Sequence, residues 1–221
     1  MGVAALQAQL VDTVDRQTYT FASTDFGAEH PNRYIVCAIS AGDLAAGNFG
    51  ITSATIGGVT ATVVIQREDT IDGRNSYIII AAVPTGATGT VAFTFTGTHI
   101  QAYVGVYRVV GLTSITAHAT ASDTADPIST TINVPHNGLL IGCATMATAG
   151  TASTPTGITE LYDLSTGGSR ATGGMDQNLA VETGRSVGFN GAGDCSGVFA
   201  TWQLSLSLAN NPSPMQHMLV R

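Results

Sequence analysis

The sequence predicts an all-β protein, an antiparallel β-sandwich. Large residues alternate with small or polar ones along runs such as Val91–Thr96 and Trp202–Leu208, which is the pattern of strands with one buried face. Clusters of turn-forming residues separate these runs at the spacing of a sandwich. After residue 16, no segment of ten residues has the pattern of a helix. Antiparallel sheets packed face to face, in a jelly-roll-like arrangement, satisfy these observations.

The alternating runs predict about twelve to fourteen strands. They lie near residues 18–22, 34–40, 51–56, 59–67, 76–83, 89–96, 101–110, 114–121, 129–134, 138–146, 157–163, 170–178, 185–190 and 198–208. Gly57 and Gly58 predict a two-residue hairpin turn after the third run. Asp72 and Gly73 predict a second hairpin between the fourth and fifth runs.

Short segments recur in the same order in the two halves of the chain. Tyr34–Ala38 is matched by Leu140–Ala144, Thr88–Phe93 by Gly184–Phe189, and Gly105–Tyr107 by Gly197–Phe199. The separations of roughly 92 to 106 residues are too long for a solenoid repeat. They indicate an internal duplication, and we expect the halves to superpose with Cys37 on Cys143.

The duplication suggests a domain organisation. We expect an N-terminal arm at residues 1–16, a single β-sandwich at 17–208 built from half-repeats of about 18–112 and 128–208, and a C-terminal tail at 209–221. The polar connection at 121–127 could instead link two domains. One sandwich is favoured because each half contains only about six or seven short strands.

The two ends of the chain carry apolar residues suited to contacts with other polypeptides. Val3, Leu6, Leu10 and Val14 fall on one helical face, although residues 10–14 could equally extend as a strand. At the other end, two prolines stop the last strand and an apolar segment follows. This tail could dock on its own body or on a neighbouring subunit. The candidate assembly contacts are Leu6, Leu10, Val14, Pro212, Pro214, Met215, Met218 and Leu219.

The charge content narrows the possible partners. Only 10% of the residues are charged, the net charge is −7, and all eight basic residues are Arg. Nucleic acids and anionic membranes are therefore not expected as partners, since both need clustered basic residues. Few charges also leave strand edges poorly protected against pairing. Burial of these edges in an assembly is one explanation, and a codon bias against Lys is the other.

The cysteines and the hydropathy indicate where the chain folds. Cys37, Cys143 and Cys195 have no paired spacing, so we expect three buried free thiols in a protein made in a reducing cytoplasm. The first 16 residues lack the pattern of a signal peptide. No apolar run approaches the length of a membrane-spanning helix.

No motif predicts a catalytic, cofactor or metal site. The five histidines are not spaced as metal ligands, and no G-x-S-x-G motif is present. The turn at 68–75 is rich in oxygen ligands, but its spacing is not that of an EF-hand and a polar hairpin tip explains it better. The Gly-rich segment at 191–197 lacks the spacing of a phosphate loop.

Four segments carry a resemblance to a known class of proteins. They are R-Y-I-V-C-A-I-S at 33–40, T-I-G-G-V-T-A-T at 55–62, A-A-V-P-T-G-A-T-G-T-V at 81–91 and N-G-L-L-I-G at 137–142. Together they resemble small β-sandwich virion structural proteins of tailed bacteriophages. The resemblance implies a non-enzymatic protein on the exterior of the virion, a capsid decoration or head-spike subunit. It also implies a homo-oligomer, with a trimer favoured, that packs on other virion proteins.

Two other functions compete with this one. A tail-fibre or receptor-binding module would attach to a host-surface glycan, but sugar sites favour exposed aromatic residues and Trp202 has the pattern of a core residue. A hydrolase built on a sandwich would need acid pairs or His motifs that the sequence does not provide. We therefore expect a virion protein without enzymatic activity.

Overall fold

The computed structural model describes residues 2–42, 49–69, 73–147, 154–166, 169–191, 193 and 195–206. Every regular element in these segments is a β-strand, and every strand pairing is antiparallel. The predicted class, an all-β antiparallel sandwich, is confirmed. The turn formed by Gly57 and Gly58 is also confirmed, with Ile56 paired to Val59 and both glycines at positive φ.

Most strands coincide with predicted runs, but the strands at Val3–Asp12 and Thr154–Thr156 lie outside those runs, and the run predicted at 114–121 is strand only from Ala119. The first half of the chain forms β1 (Val3–Asp12), β2 (Arg16–Asp25), β3 (Arg33–Gly42), β4 (Ile51–Ile56), β5 (Val59–Thr60), β6 (Thr62–Glu68), β7 (Arg74–Ala82), β8 (Thr88–His99) and β9 (Gln101–Val110). The second half forms β10 (Ala119–Asp123), β11 (Ile128–Val134), β12 (Gly138–Met146), β13 (Thr154–Thr156), β14 (Glu160–Thr166), β15 (Ser169–Leu179), β16 (Glu182–Asn190) and β17 (Cys195–Gln203).

The strands form four sheets, and each sheet takes its strands from one half of the chain. In the first half, the inner sheet has the order β1-β9-β3-β7-β6 and the outer sheet the order β2-β8-β4-β5. In the second half, the inner sheet has the order β10-β17-β12-β15-β14 and the outer sheet the order β11-β16-β13. The run predicted as one strand at 59–67 is divided between two sheets, since β5 belongs to the outer sheet and β6 to the inner one.

The four sheets stack as four layers around three apolar cores. The first core lies between the sheets of the first half and contains Phe93 and Phe95. The middle core lies between the two inner sheets and contains Trp202 and Leu204. The third core lies between the sheets of the second half and contains Phe189. All five side chains are at most 1% exposed, which confirms that they are core residues.

Strand β1 explains the helix-like spacing at the N-terminus. Residues 3–12 form an edge strand paired with β9, and the register shifts between Leu6 and Ala8. Leu6 contacts the middle core, whereas Leu10 contacts the first core. A bulge adds one residue and reverses which face each later side chain occupies. The four-residue spacing of the leucines therefore belongs to a bulged strand with two apolar faces rather than to a helix.

The cysteines are free and buried, as predicted. Cys37 in β3 and Cys143 in β12 occupy central strands at corresponding positions in the two inner sheets. Their side chains nevertheless face different cores, Cys37 the first and Cys143 the middle one. In a β-strand, a shift of one residue moves a side chain to the opposite face of the sheet. The sequence alignment that matches Cys37 with Cys143 therefore does not superpose side chains that face equivalent cores.

The two halves of the chain have the same orientation, so that their central strands β3 and β12 run in the same direction. Ser40 donates from its hydroxyl to the Ala144 carbonyl, and Ser76 donates to the Ser196 carbonyl. These contacts place the end of β3 beside the end of β12. We call this the upper end of the molecule. The lower end carries the start of β3, the Gly57–Gly58 turn and the end of β17.

Candidate functional sites

The predicted assembly contacts are only partly described by the structure. Leu6 and Leu10 are half-buried against cores of their own chain. Val14 lies in the turn after β1 and is 53% exposed. The predicted contacts of the tail (Pro212, Pro214, Met215, Met218 and Leu219) lie outside the described residues.

The two ends of the described chain meet at one corner of the lower end, which we call the terminal corner. The Gly2 amide donates to the Ser205 carbonyl at 3.0 Å, and the Ala4 amide donates to Oε1 of Gln177 at 2.8 Å. Two large apolar side chains are exposed next to these contacts: Val3 (45%) and Leu206 (62%). Val181 (68%) is also exposed, in the β15–β16 turn of the lower end. The sequence pattern did not reveal the corner, because its residues come from opposite ends of the chain.

The outer sheet of the first half presents an uncharged, hydroxyl-rich face. Tyr19 and Phe93 on β2 and β8 point into the first core, so their neighbours in the chain point outward. Two rows of residues cross β2, β8 and β4: Thr18, Thr94 and Ser53, then Thr20, Ala92 and Thr55. The hydroxyls of Thr18 and Thr94 are hydrogen-bonded at 2.9 Å. Such a face offers hydrogen bonds and methyl groups without charge.

Arg33, at the start of β3, is a buried cation held by backbone carbonyls. It is 1% exposed. Its Nε donates to the Val83 carbonyl at 2.6 Å, and its two terminal nitrogens donate to Gly27, Thr85 and Gly86 at 2.6–2.9 Å. Burial lowers the pKa of the guanidinium from its usual value. Five donors in a planar fork suit several fixed carbonyls, which a lysine ammonium could not reach together.

The loop held by Arg33 is fixed by further contacts from the 26–30 segment. The Gly86 amide donates to Oε1 of Glu29 at 2.7 Å, and the Phe26 amide donates to the Ala87 carbonyl at 2.8 Å. The His30 amide donates to the Pro84 carbonyl at 3.1 Å. The polar backbone groups of residues 84–87 are therefore largely occupied, and the loop has little freedom to change conformation.

Beside this loop lies an open cavity of about 490 Å³, which we call the Arg33 groove. Its lining consists of Phe26, Gly57, Gly58, Val83, Thr85, Gly86, Thr88, Gly89 and Thr90. Phe26 and Val83 are buried beneath it, while Thr85 and Thr88 are exposed at its rim. The residues come mainly from the segments 55–62 and 81–91, and Arg33 itself begins the segment 33–40. Three of the four segments that carry the resemblance thus build one feature.

A polar cluster fills the upper end of the contact between the inner sheets. The Tyr103 hydroxyl is bonded to Thr166, and the Gln101 amide donates to the Ser169 hydroxyl. The Thr145 hydroxyl donates to the Asn75 carbonyl at 2.7 Å. These groups bond to one another across the two halves. They provide neutral hydroxyls and amides, which fix the packing register but supply neither a base nor a strong acid at neutral pH.

His99, near the upper end of the first core, is fully buried against aromatic rings. Its ring lies edge-on to Phe95 with centroids 4.2 Å apart, and to Phe49 at 5.3 Å. Neither ring nitrogen has a hydrogen-bond partner among the described residues. Burial lowers the pKa of His99 to about 4, and the nearby backbone of Phe49 partly opposes this shift. His99 is therefore a neutral core residue at physiological pH.

Among the described residues, no three His, Cys, Asp or Glu side chains are grouped so that they could hold a metal ion. In the turn at 68–75, the side-chain oxygen of Asn75 accepts the Asp69 amide at 3.1 Å, and residues 70–72 lie outside the described segments. Within the same described segments, there is no helix with the length and hydropathy needed to cross a membrane.

Comparison of the chain with protein families, curated proteins and solved structures gave no match. The function must therefore be inferred from the geometry of the chain itself and from the resemblance of its short segments.

Proposed function

We propose that the protein is a non-enzymatic structural component of the exterior of a phage virion, a capsid decoration or head-spike subunit. The terminal corner is the observation that carries this proposal. Val3 and Leu206 expose apolar surface where the described chain begins and ends, and exposed apolar surface of this kind favours contacts with other proteins. The corner is thus suited to hold a neighbouring subunit or another virion protein.

The position of the corner links it to the C-terminal tail. The described residues end at Leu206 in this corner, and residues 207–221 follow it in the sequence. Met215, Met218 and Leu219 in that segment are apolar and adaptable in shape. We infer that the corner and the tail form one assembly surface, on a homo-oligomer for which a trimer is favoured.

The remaining surface suits close packing between proteins. The outer face of β2, β8 and β4 carries rows of hydroxyl and methyl groups with no charged side chain among them. Charged residues are depleted at the centres of protein interfaces, because each charge must lose its water there. A virion protein would gain from such faces, since it is surrounded by fixed neighbours.

We further propose that the chain is an internal duplication of a jelly-roll-like sandwich, in place of the single sandwich expected at 17–208. The strand orders support this, because replacing β1, β9, β3, β7 and β6 by β10, β17, β12, β15 and β14 maps one inner sheet onto the other. Pairing β2 with β11, β8 with β16 and β4 with β13 likewise maps the outer sheet order β2-β8-β4 onto β11-β16-β13. Each half then has its own two sheets, and the inner sheets pack against each other.

The assembly proposal is tested by removing the corner and the tail separately. Val3→Asp places a charge on the corner, and deletion of 207–221 removes the tail. Val59→Asp is the matched control, because Val59 is also exposed (41%) but lies in β5. Light scattering gives the subunit number, and co-sedimentation with phage particles gives attachment. We expect both changes to reduce oligomerisation or attachment, and the control to retain them. Full assembly and attachment by both variants would refute the proposal.

A second candidate function is a tail-fibre or receptor-binding module that attaches to a glycan on the host surface. The Arg33 groove is the specific observation that favours it, since a rigid, neutral, hydroxyl-lined cavity can accept a sugar. Electron microscopy of labelled protein on phage particles separates the candidates. A position on the head supports the first function, and a position at the tip of a tail fibre supports the second.

A further inference from the structure

We propose that the Arg33 groove is a binding site for a single neutral saccharide unit. This inference rests on the second candidate function and is independent of the assembly surface at the terminal corner. It also gives a role to the segments 55–62 and 81–91, which the structural function leaves unexplained.

The lining of the groove excludes a charged ligand. None of its nine lining residues is ionisable. The charged groups that hold the wall of the groove are already occupied, since Arg33 donates to carbonyls behind the groove and Glu29 accepts the Gly86 amide. Asp25, opposite Thr88 in β2, accepts the Gly27 amide. A carboxylate, phosphate or ammonium in the groove would therefore lose water without gaining a charged partner.

The same lining suits a ligand that carries hydroxyl groups. No hydrogen bond within the described chain uses the side-chain hydroxyls of Thr85, Thr88 and Thr90, and each can both donate and accept. Their methyl groups and the exposed Gly57–Gly58 turn supply small apolar contacts between them. Saccharides present alternating hydroxyl groups and C–H surface, which this arrangement complements.

The size and rigidity of the groove are consistent with one sugar unit. Its volume of about 490 Å³ lies within the range of about 300–1,000 Å³ found for small-molecule sites. Arg33, Glu29 and the backbone bonds of the 26–30 segment fix the wall before any ligand arrives. A preformed wall lowers the entropy lost on binding. Since the cavity is open and holds no exposed aromatic ring, we expect dissociation constants in the millimolar range, about −4 kcal/mol.

The test uses the purified full-length protein, labelled with ¹⁵N and titrated with glucose, galactose, mannose and N-acetylglucosamine. We expect at least one sugar to shift the amide signals of Gly57, Gly58 and Gly86 with saturation. Thr88→Val should weaken that binding about 3- to 10-fold by removing one hydroxyl. Thr94→Val, on the same strand but outside the groove, should leave it unchanged.

Two further probes make the test decisive. N-acetylneuraminic acid carries a carboxylate and glycerol is a small polyol, so neither should match the neutral sugars. The proposal is overturned if no neutral sugar gives saturable shifts up to about 100 mM, if the charged sugar or glycerol binds equally well, or if Thr88→Val has no effect. Because no phage particle is involved, such a failure leaves the result of the assembly experiment intact.

Discussion

Replacement of Arg33 by Met tests whether the hydrogen bonds of its guanidinium stabilise the loop at the lower end of the first half. Methionine keeps an apolar chain of similar length but removes all five N–H donors. The carbonyls of Val83, Gly27, Thr85, Gly86 and Phe26 would then lose their shared partner. We expect clear destabilisation, together with loss of order in the loop at 84–88.

The expected loss of stability depends on which of these carbonyls could bond to water in the variant. Phe26 and Val83 are buried at 0% and 4% exposure, so their carbonyls would stay unsatisfied. Each unsatisfied buried group costs about 1–3 kcal/mol. Removal of a buried cation, whose pKa burial already lowers, offsets part of this loss. A net loss of about 3 kcal/mol is expected, or about 6–12 °C in Tm for a chain of this size.

Thermal unfolding followed by circular dichroism measures this change. Arg108→Met is the matched control, because the half-buried Arg108 donates one hydrogen bond among the described residues, from Nε to the Ala28 carbonyl at 2.7 Å. The control should lose less than about 1 kcal/mol. Arg33→Lys keeps the charge but not the planar fork, so its stability should fall between those of Arg33→Met and the parent. If Arg33→Met unfolds at the same temperature as the parent, or if Arg108→Met loses as much stability, the hydrogen bonds from Arg33 to the backbone carbonyls do not stabilise the fold.

Three further predictions concern the cores. Trp202→Ala should cost about 3–5 kcal/mol, because the ring is 1% exposed in the middle core; an unchanged melt by circular dichroism would contradict this packing. His99 should make the protein less stable in acid. Its pKa is lowered to about 4 in the folded state, so its full contribution to stability is present above about pH 6.5. As the pH falls to about 4, up to about 3 kcal/mol of stability is lost. Urea midpoints should show a weaker pH dependence in His99→Phe, and equal slopes would count against the assignment. Gly105→Ala should destabilise the protein by about 2 kcal/mol or more, since a Cβ at Gly105 would lie 2.4 Å from the ring of Tyr162. Calorimetry compares this variant with the control Gly58→Asn, because a Cβ at Gly58 would have no atom within 4 Å.

Period-two alternation was sufficient to predict the strands, because it reports directly which residues face a core. Phe93, Phe95 and Trp202 were identified as core residues in this way, and all are buried. Turn chemistry was equally local, since two adjacent glycines at positive φ specify the hairpin at Gly57 and Gly58. Most predictions that depended on one strand and its own turn therefore succeeded, although the run at 114–121 is strand only from Ala119.

Predictions that depended on contacts between strands were less complete. The bulge between Leu6 and Ala8 is set by the pairing of β1 with β9, and no local pattern distinguishes it from a helical spacing. Arg33 begins a strand at a turn, where a surface arginine is the ordinary expectation, and only the fold brings residues 83–86 around it. The terminal corner likewise joins Gly2 and Ser205, which are far apart in the sequence.

The stacking of the sheets limits where any partner can bind. Each inner sheet is covered on both faces, one by its own outer sheet and the other by the opposite inner sheet. Tyr162 shows how close this contact is, because its ring lies against both Gly105 and Gly173, where any side chain would collide with it. Separation of the halves would expose the middle core with Trp202, so the halves should unfold together rather than act as independent modules. Partners are therefore left with the outer faces, the strand edges and the two ends. The lower end carries the apolar terminal corner and the neutral Arg33 groove, and separate mutations can test the role proposed for each.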